Sequence, residues 1–397
     1  MATQDIAPAG RSGGVVSYFY DPRIRGIVYQ AVVFVAIVSL VYWIIGNTIE
    51  NLNRLNIASG FSFLSGRAGF DLGQTLVPFT SDSTYGRALY VGFLNTLLIA
   101  VVGVITASIL GFMIGIGRLS HNWIIRKLCT AYVEVFRNIP PLLVIFFWYF
   151  GVLSVLPSVR ESIALPFGSF LNQRGLYFPT PVWGEGAWLV GATFIAGLAG
   201  AFLVRLWATR RQMATGQQFP VALTAIALIA GLPLLAFIGT GFPLTFTYPV
   251  LGTFNLTGGK QVKPEFIALY LALSFYTASF IAEIVRAGIL GVNKGQTEAS
   301  AALGLKPGMI TRLVVVPQAM RIIIPPLTSQ YLNLTKNSSL AIAIGYPDLV
   351  AVGGTVLNQT GQSIEIVAIW MVIYLGLSLV TSFLMNWFNA RMALVER

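Results

Sequence analysis

The sequence predicts an all-α integral membrane protein with about eight transmembrane helices. Of its 397 residues, 56% are hydrophobic and only 10% are charged, whereas soluble domains carry about 25% charged residues. Apolar runs long enough to cross roughly 30 Å of hydrocarbon as helices recur along the chain. These predicted spans cover 27–46, 88–116, 128–151, 187–207, 220–240, 265–288, 321–346 and 364–388.

The first apolar run is predicted to be an uncleaved anchor helix. It begins directly after Arg23 and Arg25, and no small-residue cleavage site follows it in "GNTIENLN". It is also longer than the apolar part of a typical signal peptide. We therefore expect an N-terminal region, 1–86, that consists of a cytoplasmic tail, this anchor helix and a loop on the outer face.

The distribution of basic residues predicts the orientation of the spans. With eight spans, both termini lie on one side of the membrane. Of the 25 Lys and Arg residues, sixteen then fall on that side or at the span ends that face it, seven fall on the other side, and two, Arg137 and Lys336, lie deeper within predicted spans. The positive-inside rule therefore places both termini in the cytoplasm, including a tail over 389–397. It also explains the net charge of +11 without a nucleic-acid partner.

Residues that could support metal or thiol chemistry are scarce. Cys129 and His121 are the only cysteine and histidine. A disulfide within the chain is therefore excluded, and a metal site with His and Cys ligands is not expected. Because no nucleophile or metal motif is present, we predict no catalytic residues, no metal site and no cofactor.

A short polar segment, "GQTEASAALGLKPGMITRLVVVP" at 295–317, lies between two apolar spans. Residues 296–303 are strong helix formers with small side chains. Gly304 is predicted to end this helix in the left-handed conformation, Pro307 to begin a second helix, and Pro317 to close the unit near the membrane. The pattern indicates a helical hairpin within a cytoplasmic loop, 289–320, that docks on another protein.

This hairpin resembles the EAA coupling loop of ABC-importer membrane subunits. Ser300 replaces the second alanine of the family pattern, and Lys306 stands where many relatives carry a capping serine, which predicts a weaker cap. Four residues fall in register with the family pattern: Glu298, Ala299, Gly304 and Pro317. The resemblance implies that these residues couple the chain to a separate ATPase.

Three longer stretches resemble the polar amino-acid uptake branch, which includes the histidine, glutamine and glutamate importers. They are "YVEVFRNIPPLLVIFFWYFGV" (132–152), "LSFYTASFIAEIVRAGILGVNKGQTEA" (273–299) and "PQAMRIIIPPLTSQYLNLTKNSSLAIAIGYPDL" (317–349). The resemblance implies a type I importer transmembrane domain over 87–388. Its five core helices correspond to 88–116, 128–151, 265–288, 321–346 and 364–388.

Extra segments refine this resemblance. An additional N-terminal span and an insertion over 153–263 with two further spans are similar to the general L-amino-acid permease subunits. The implied function is a permease subunit of an ATP-driven importer that moves L-amino acids across the bacterial inner membrane. The implied partners are a second homologous permease subunit, usually in a heterodimer, an ABC ATPase and a periplasmic amino-acid-binding protein.

The chain is not expected to hydrolyse ATP, and therefore it is predicted not to be an enzyme. A phosphate-binding loop requires G-x-x-x-x-G-K-[ST]. The nearest fragment is "GGKQ" at 258–261, which lacks the first glycine and ends in glutamine.

A first group of polar residues in the predicted spans is a candidate for the gate or substrate pathway. It comprises Glu134, Arg137, Asn138 and Pro140. Charges inside a membrane are costly and usually functional, and prolines break the helix where transporters expose backbone groups. Alternatively, Arg137 forms an internal ion pair with Glu134, three residues earlier. Glu283 and Arg286 have the same spacing and are expected to form a structural pair.

A second group of pathway candidates is Lys336, Asn337, Ser338 and Ser339 in the most polar span. The Lys336 ammonium suits a substrate carboxylate, or it reaches the interface or pairs with a protein carboxylate. The substrate site lies either in this subunit or in its partner.

An ion-coupled secondary amino-acid transporter is the alternative function. Such a carrier requires intramembrane carboxylates or an inverted repeat. Only Glu134 and Glu283 lie well inside predicted spans, each with an arginine three residues later. This alternative also leaves the hairpin at 295–317 without a role.

Overall fold

The computed structural model describes residues 22–54, 60–252 and 255–392. Thirteen α-helices occur in these ranges, and short π-helical or 3-10 segments link several of them. In chain order they are α1 (Pro22–Arg54), α2 (Tyr85–Gly117), α3 (Trp123–Asn138), α4 (Pro141–Phe146), α5 (Ala187–Thr215), α6 (Val221–Ile226), α7 (Leu232–Gly239), α8 (Pro264–Leu290), α9 (Lys294–Ala302), α10 (Pro307–Ile310), α11 (Val316–Asn337), α12 (Leu349–Thr360) and α13 (Ser363–Met392).

Seven helical segments in the described ranges are long and apolar enough to cross a membrane, and a bent pair makes an eighth. All eight predicted spans overlap these segments, so the prediction of a helical membrane protein is confirmed. The agreement follows from composition, because a run of about 20 apolar residues satisfies its backbone polar groups in hydrocarbon only as a helix.

The helix break that the prolines predict within the span 128–151 is confirmed. The span consists of α3 and a second segment, Pro141–Leu153, bent by 110° at the break between them. Pro140 and Pro141 have no N–H groups to continue the hydrogen-bond ladder of α3, and a proline restricts the residue before it to an extended backbone. Ile139 accordingly has an extended conformation.

Helix α8 forms the centre of the fold and packs against α2 and α11. Glycines on α2 allow a close approach: a Cβ atom on Gly115 would lie 2.7 Å from the carbonyl oxygen of Ala282, and one on Gly111 would lie 2.6 Å from the Ile281 Cβ. Small residues at such contacts are typical of helix packing in membranes, where close van der Waals contact replaces hydrophobic burial.

The inserted region 153–263 carries the two predicted extra spans, α5 and the α6–α7 segment, which pack against each other. It also carries eight short strands that were not predicted from the sequence. They are β1 (Ile163–Leu165), β2 (Ser169–Asn172), β3 (Gly175–Phe178), β4 (Thr180–Trp183), β5 (Leu244–Thr247), β6 (Val250–Leu251), β7 (Leu256–Thr257) and β8 (Lys260–Val262).

These strands form three antiparallel sheets outside the helical spans. The largest has the order β1-β2-β3-β8, while β4 pairs with β5 and β6 pairs with β7. The β3–β8 pairing brings the start and the end of the insertion together immediately before α8.

The loop between α1 and α2 covers the end of the core opposite the α8–α9 junction. The Asn95 amide on α2 donates to the carbonyl oxygens of Gln74 in this loop (3.0 Å) and Pro347 (2.9 Å). The backbone N–H of Gly60 donates to Glu365 Oε1 at 2.6 Å. These bonds attach the loop to α2 and to α13, and they attach α2 to the turn before α12.

Candidate coupling and translocation site

Helix α9 forms the first arm of the hairpin, and both of its ends are capped. The Asn293 side chain accepts a hydrogen bond from the Gly295 N–H at 2.8 Å, which satisfies a donor at the helix start. At the other end, the Gly304 N–H donates to the Ala301 carbonyl (2.9 Å), and the Leu305 N–H donates to the Ser300 carbonyl (3.3 Å). This is a Schellman motif, and Gly304 has the left-handed φ of +77° that it requires.

The second arm begins at Pro307, with Lys306 at the N-cap position. The Lys306 side chain makes no capping hydrogen bond, as expected for this residue type. The arm does not end at Pro317. It continues through a π-helical turn, Thr311–Val315, into α11. Because Pro317 has no N–H, it removes one bond from the ladder, and the helix changes its pitch here instead of ending.

The hairpin exposes a small surface, which we call the coupling surface, formed by Glu298, Ala299, Leu303 and Gly304. All four residues are exposed, and Leu303 is 82% exposed although it is apolar. Glu298 makes no salt bridge within the described part of the chain. An unpaired carboxylate beside an exposed leucine and small residues is suited to contact with another protein.

Arg137 does not pair with Glu134. Its guanidinium lies 3.7 Å from Glu283 Oε2 on α8 and stacks over the Phe280 ring, with 5.6 Å between the guanidinium carbon and the ring centroid. The exposed Glu134 makes no salt bridge among the residues described, and its backbone carbonyl accepts a bond from the Asn138 amide at 2.7 Å. The long side chain of Arg137, which is 39% exposed, reaches the carboxylate on α8 instead of the one on its own helix.

Glu283 binds two further arginines. Arg286 lies 3.0 Å away, which is the expected pair on α8, and Arg118, at the end of α2, also forms an ion pair with Glu283. Three helices, α2, α3 and α8, therefore meet at one carboxylate near the end of α8 from which the hairpin emerges. We call Glu283, Arg118, Arg137 and Arg286 the arginine cluster.

Aromatic side chains connect the broken helix to α8 beyond the arginine cluster. The Tyr132 hydroxyl donates to the Phe275 carbonyl at 2.6 Å. The ring of Phe275 lies 6.0 Å from that of Phe136 and 5.6 Å from that of Trp148. The segments on both sides of the break thus pack on the same turn of α8.

The predicted residues Lys336 to Ser339 lie at a second break. Helix α11 ends at Asn337, and a 3-10 segment, Ser338–Ile344, follows. Lys336 is exposed and makes no salt bridge within the described ranges, so the predicted carboxylate partner is not found there. Ser338 is buried and donates to the Thr335 carbonyl at 2.8 Å, and Ser339 donates to the Lys336 carbonyl at 2.8 Å.

The two helix breaks are neighbours, because α4 packs against the 3-10 segment that follows α11. Pro140 therefore lies at a break that adjoins the one after Lys336. The coupling surface lies at the far end of α8 from the turn that follows the 3-10 segment.

A buried polar group near this second break was not predicted from the sequence. Thr96 accepts a bond from the Leu349 N–H at 3.0 Å, and the Tyr346 hydroxyl donates to the Asn95 carbonyl at 3.1 Å. Asp348 is fully buried, and burial raises its pKa to about 6. The adjacent polar pair Asn95–Thr96 within an otherwise apolar span was the signal that could have revealed this group.

The chain is similar to transport proteins over nearly its whole length. It is 67% identical over 381 residues to the general L-amino acid transport system permease protein AapQ of Rhizobium johnstonii, which covers 96% of this chain and 95% of the relative. It is 42% identical over 425 residues to the glutamate/glutamine/aspartate/asparagine transport system permease protein BztB of Rhodobacter capsulatus. This alignment covers 95% of this chain and 96% of the relative.

A solved structure of an amino acid ABC transporter with histidines aligns with 77% of this chain and 95% of its own, at 20% identity and a TM-score of 0.46.

Because the two relatives from Rhizobium johnstonii and Rhodobacter capsulatus are permeases over matching lengths, the prediction of a transport subunit that is not an enzyme is confirmed. The model of the family described as "binding-protein-dependent transport system inner membrane component" matches residues 103–394. The chain belongs to this family of inner-membrane transport components.

Proposed function

We propose that the chain imports L-amino acids as one of two permease subunits of an ATP-driven importer. The observation that carries this proposal is the coupling surface, an exposed hairpin on a transmembrane core whose Glu298, Ala299 and Gly304 have the register of an EAA loop. The amino-acid substrate class is supported by the names of the relatives, which are L-amino-acid permeases.

The coupling surface contacts a separate ABC ATPase in this proposal, with the Glu298 carboxylate pairing with a basic residue of the ATPase. Exposed apolar and small residues around it allow close packing of the two proteins. Pro317 contributes indirectly, because it lies where the hairpin continues into α11. Movement of the hairpin is thereby transmitted to a helix of the transmembrane core.

The proposed orientation places the hairpin and both termini in the cytoplasm of a bacterium. The loop 60–84 and the strands of the insertion 153–263 then face the periplasm, where an amino-acid-binding protein delivers its ligand. The domain boundaries follow the same scheme, with the transmembrane domain over 87–388, the coupling loop over 289–320, and terminal regions over 1–86 and 389–397.

The gate is proposed to lie at the two neighbouring helix breaks. Arg137, Asn138 and Pro140 belong to the first, and Lys336 to Ser339 belong to the second. Broken helices expose backbone groups that a polar substrate requires, and unwound segments change conformation at a lower cost than continuous helices. Arg137 serves this gate by joining α3 to Glu283, and Glu134 lies on the exposed side of the same helix.

Purification of the tagged chain from its native membrane tests the assembly. The expected result is co-purification of an ABC ATPase and of a second, homologous permease, with less ATPase recovered when Glu298→Ala is introduced. A chain that is recovered alone, in a preparation that still transports amino acids, would contradict the proposal.

A further inference from the structure

A small cavity lies at the opposite end of α8 from the coupling surface. Helix α8 has 27 residues, so the two sites are about 40 Å apart along its axis. Three separate parts of the chain meet there: the loop between α1 and α2, the residues around the start of α8, and the turn before α12. The cavity has a volume of about 80 Å³ and is lined by Gly73, Gln74, Lys263, Glu265, Gly345, Tyr346 and Pro347.

This cavity holds one cation and one carboxylate that do not pair with each other. Lys263 makes no salt bridge in the described ranges, and its ammonium nitrogen lies so close to the loop that a Cβ atom on Gly73 would be 3.3 Å from it. Glu265 Oε1 accepts a hydrogen bond from the Tyr149 hydroxyl at 3.2 Å. The cavity is therefore dipolar, with a positive and a negative group facing a common space.

Two oxygen atoms at the cavity lack donors. Glu265 Oε2 and Gln74 Oε1 are buried, and neither has a hydrogen-bond partner among the described residues. Buried polar groups in native proteins are nearly always satisfied by a hydrogen-bond partner. Both oxygens accept hydrogen bonds, so a ligand that binds here is expected to present a donor, and a cationic donor suits the carboxylate best.

The small cavity adjoins a larger one. The larger cavity has a volume of about 430 Å³, shares Gly73, Gly345 and Pro347 with the small one, and opens to the surface. Its lining includes both apolar and polar side chains, among them Leu72, Asp71 and Asn358. A molecule with its charged head in the small cavity can therefore extend a side chain toward the larger one.

We propose that these cavities form a binding site for the zwitterionic head of an α-amino acid on the outer face of the permease. Lys263 binds the α-carboxylate, and Glu265 Oε2 and Gln74 Oε1 accept hydrogen bonds from the α-ammonium. A volume of 80 Å³ equals that of about three water molecules, which is sufficient for this head. The inference rests on the proposed function, since it concerns the same substrate class.

A site of this kind is expected to accept many different α-amino acids. Charged groups contact only the part that all α-amino acids share, while the side chain lies in a wide, open space with few fixed partners. Such a site discriminates against molecules that lack either charge, but it discriminates weakly among side chains.

Equilibrium binding of radiolabelled L-glutamine to the complete permease–ATPase complex in lipid nanodiscs, without binding protein or nucleotide, tests the inference. Two competitors separate the charges: 4-aminobutanamide lacks the α-carboxylate, and glutaramate lacks the α-ammonium. We expect Lys263→Met to weaken L-glutamine binding about tenfold or more while competition by 4-aminobutanamide is unchanged. Glu265→Gln should weaken the binding of L-glutamine and of 4-aminobutanamide and leave the binding of glutaramate unchanged.

Matched controls on the same face are Lys260→Met and Glu185→Gln, which alter exposed charges that do not line the cavity. If Glu265→Gln does not assemble, Gly73→Ala takes its place, because its added methyl group displaces the Lys263 ammonium and should weaken L-glutamine binding. Equal affinities in all variants would overturn the inference. So would the absence of saturable binding at millimolar L-glutamine in a wild-type preparation that transports it. A wild-type preparation that transports no L-amino acid in the presence of ATP and binding protein would instead overturn the proposed function.

Discussion

Gly304 sets the angle between the two arms of the coupling hairpin. Its φ of +77° lies in the left-handed region, and nothing lies within 4 Å of the position where a Cβ atom would be. Substitution is therefore limited by backbone conformation and not by space. Leu303, directly before it, is exposed by the same turn.

Replacing Gly304 should affect coupling according to the ease with which each residue adopts the left-handed conformation. We expect Gly304→Val to weaken ATPase binding more than Gly304→Asn, with about 1–2 kcal/mol lost for the non-glycine backbone. The affinity of the purified ATPase for the permease in nanodiscs measures this. Equal affinities for the two variants would show that the turn geometry does not matter.

Glu298 should act through its charge. Glu298→Ala is expected to reduce ATPase affinity and uptake together, because the partner's basic residue loses its carboxylate. Gln296→Ala, on the same exposed helix, is the matched control and should leave both unchanged. Normal coupling in the Glu298 variant would remove the carboxylate from the proposed interface.

Asp348 should make stability depend on pH. Its pKa is raised from 3.8 to about 6 by burial, so the folded chain holds this proton more tightly than the unfolded chain. The folded state therefore loses stability as pH rises from about 4 to about 6, and the loss persists above that range.

Asp348→Asn keeps the oxygen that accepts the Ala351 N–H at 2.8 Å but cannot ionise. At about pH 7 the free energy of unfolding of the variant should exceed that of the wild type by about 1–3 kcal/mol, so the variant should unfold at a higher temperature. At about pH 4 the two proteins should be equally stable. Thermal unfolding of the purified complex at both pH values measures this. A gain of the same size at both values would contradict the assignment of the pKa.

Sequence reasoning at the residue scale succeeded where the determining interactions are local. Gly304 and Pro307 have the predicted roles because turn and cap chemistry depends on neighbouring residues. The alternative pairing of Arg137 with Glu134 was wrong because i,i+3 spacing reveals only partners on the same helix. Its carboxylate, Glu283, is 146 positions away in the chain, and only tertiary packing brings the two side chains together.

At the scale of elements, the arginine cluster joins three helices next to the coupling hairpin. The side chain of Arg118 is only 9% exposed, and Glu283 is the one carboxylate that the described residues provide for three guanidinium groups. Removing this carboxylate leaves the positive charges to repel one another in a region of low dielectric constant.

Glu283→Gln should therefore loosen the packing of α2 and α3 on α8. We expect the stability of the complex to fall by about 1–3 kcal/mol. This loss is smaller than that expected for a fully buried ion pair, because the cluster is partly exposed. Glu134→Gln, an exposed carboxylate on α3, is the matched control and should have no effect in the same thermal-unfolding assay. Equal destabilisation in both variants would contradict the role of the cluster.

The elements also show why one prediction was confirmed and another required correction. The helix break at Pro140 was predicted from the two prolines, but the size of the bend, 110°, followed only from the structure. Proline at the start of a helix is compatible with continuation, and for this reason Pro317 does not end the hairpin. The strands of the insertion have only two to four residues each, too short for a period-2 pattern to be recognised.

At the scale of the whole molecule, the number of spans and the family were predictable because apolar length and the hairpin motif are strong signals. The small cavity was not predictable, because its lining combines the loop 60–84 with residues near 263 and 346, which no local sequence pattern connects. The orientation remains a prediction from the distribution of basic residues.

Cysteine labelling should reveal the orientation. In a Cys129→Ser background, Thr75→Cys is expected to react with a membrane-impermeant maleimide in intact spheroplasts. Gln296→Cys is expected to react only after the membrane is permeabilised, because the hairpin is assigned to the cytoplasm. The reverse pattern would place the hairpin outside and contradict its coupling role.

The central claim is that ATP hydrolysis drives transport through the coupling surface. The most direct measurement is L-glutamine uptake by proteoliposomes that contain the wild-type or Glu298→Ala chain with its ATPase and partner permease, with binding protein outside and ATP inside. The account predicts uptake that requires ATP in the wild type and is strongly reduced in the variant. Uptake driven by a proton or sodium gradient without ATP, and equal in both proteins, would contradict it.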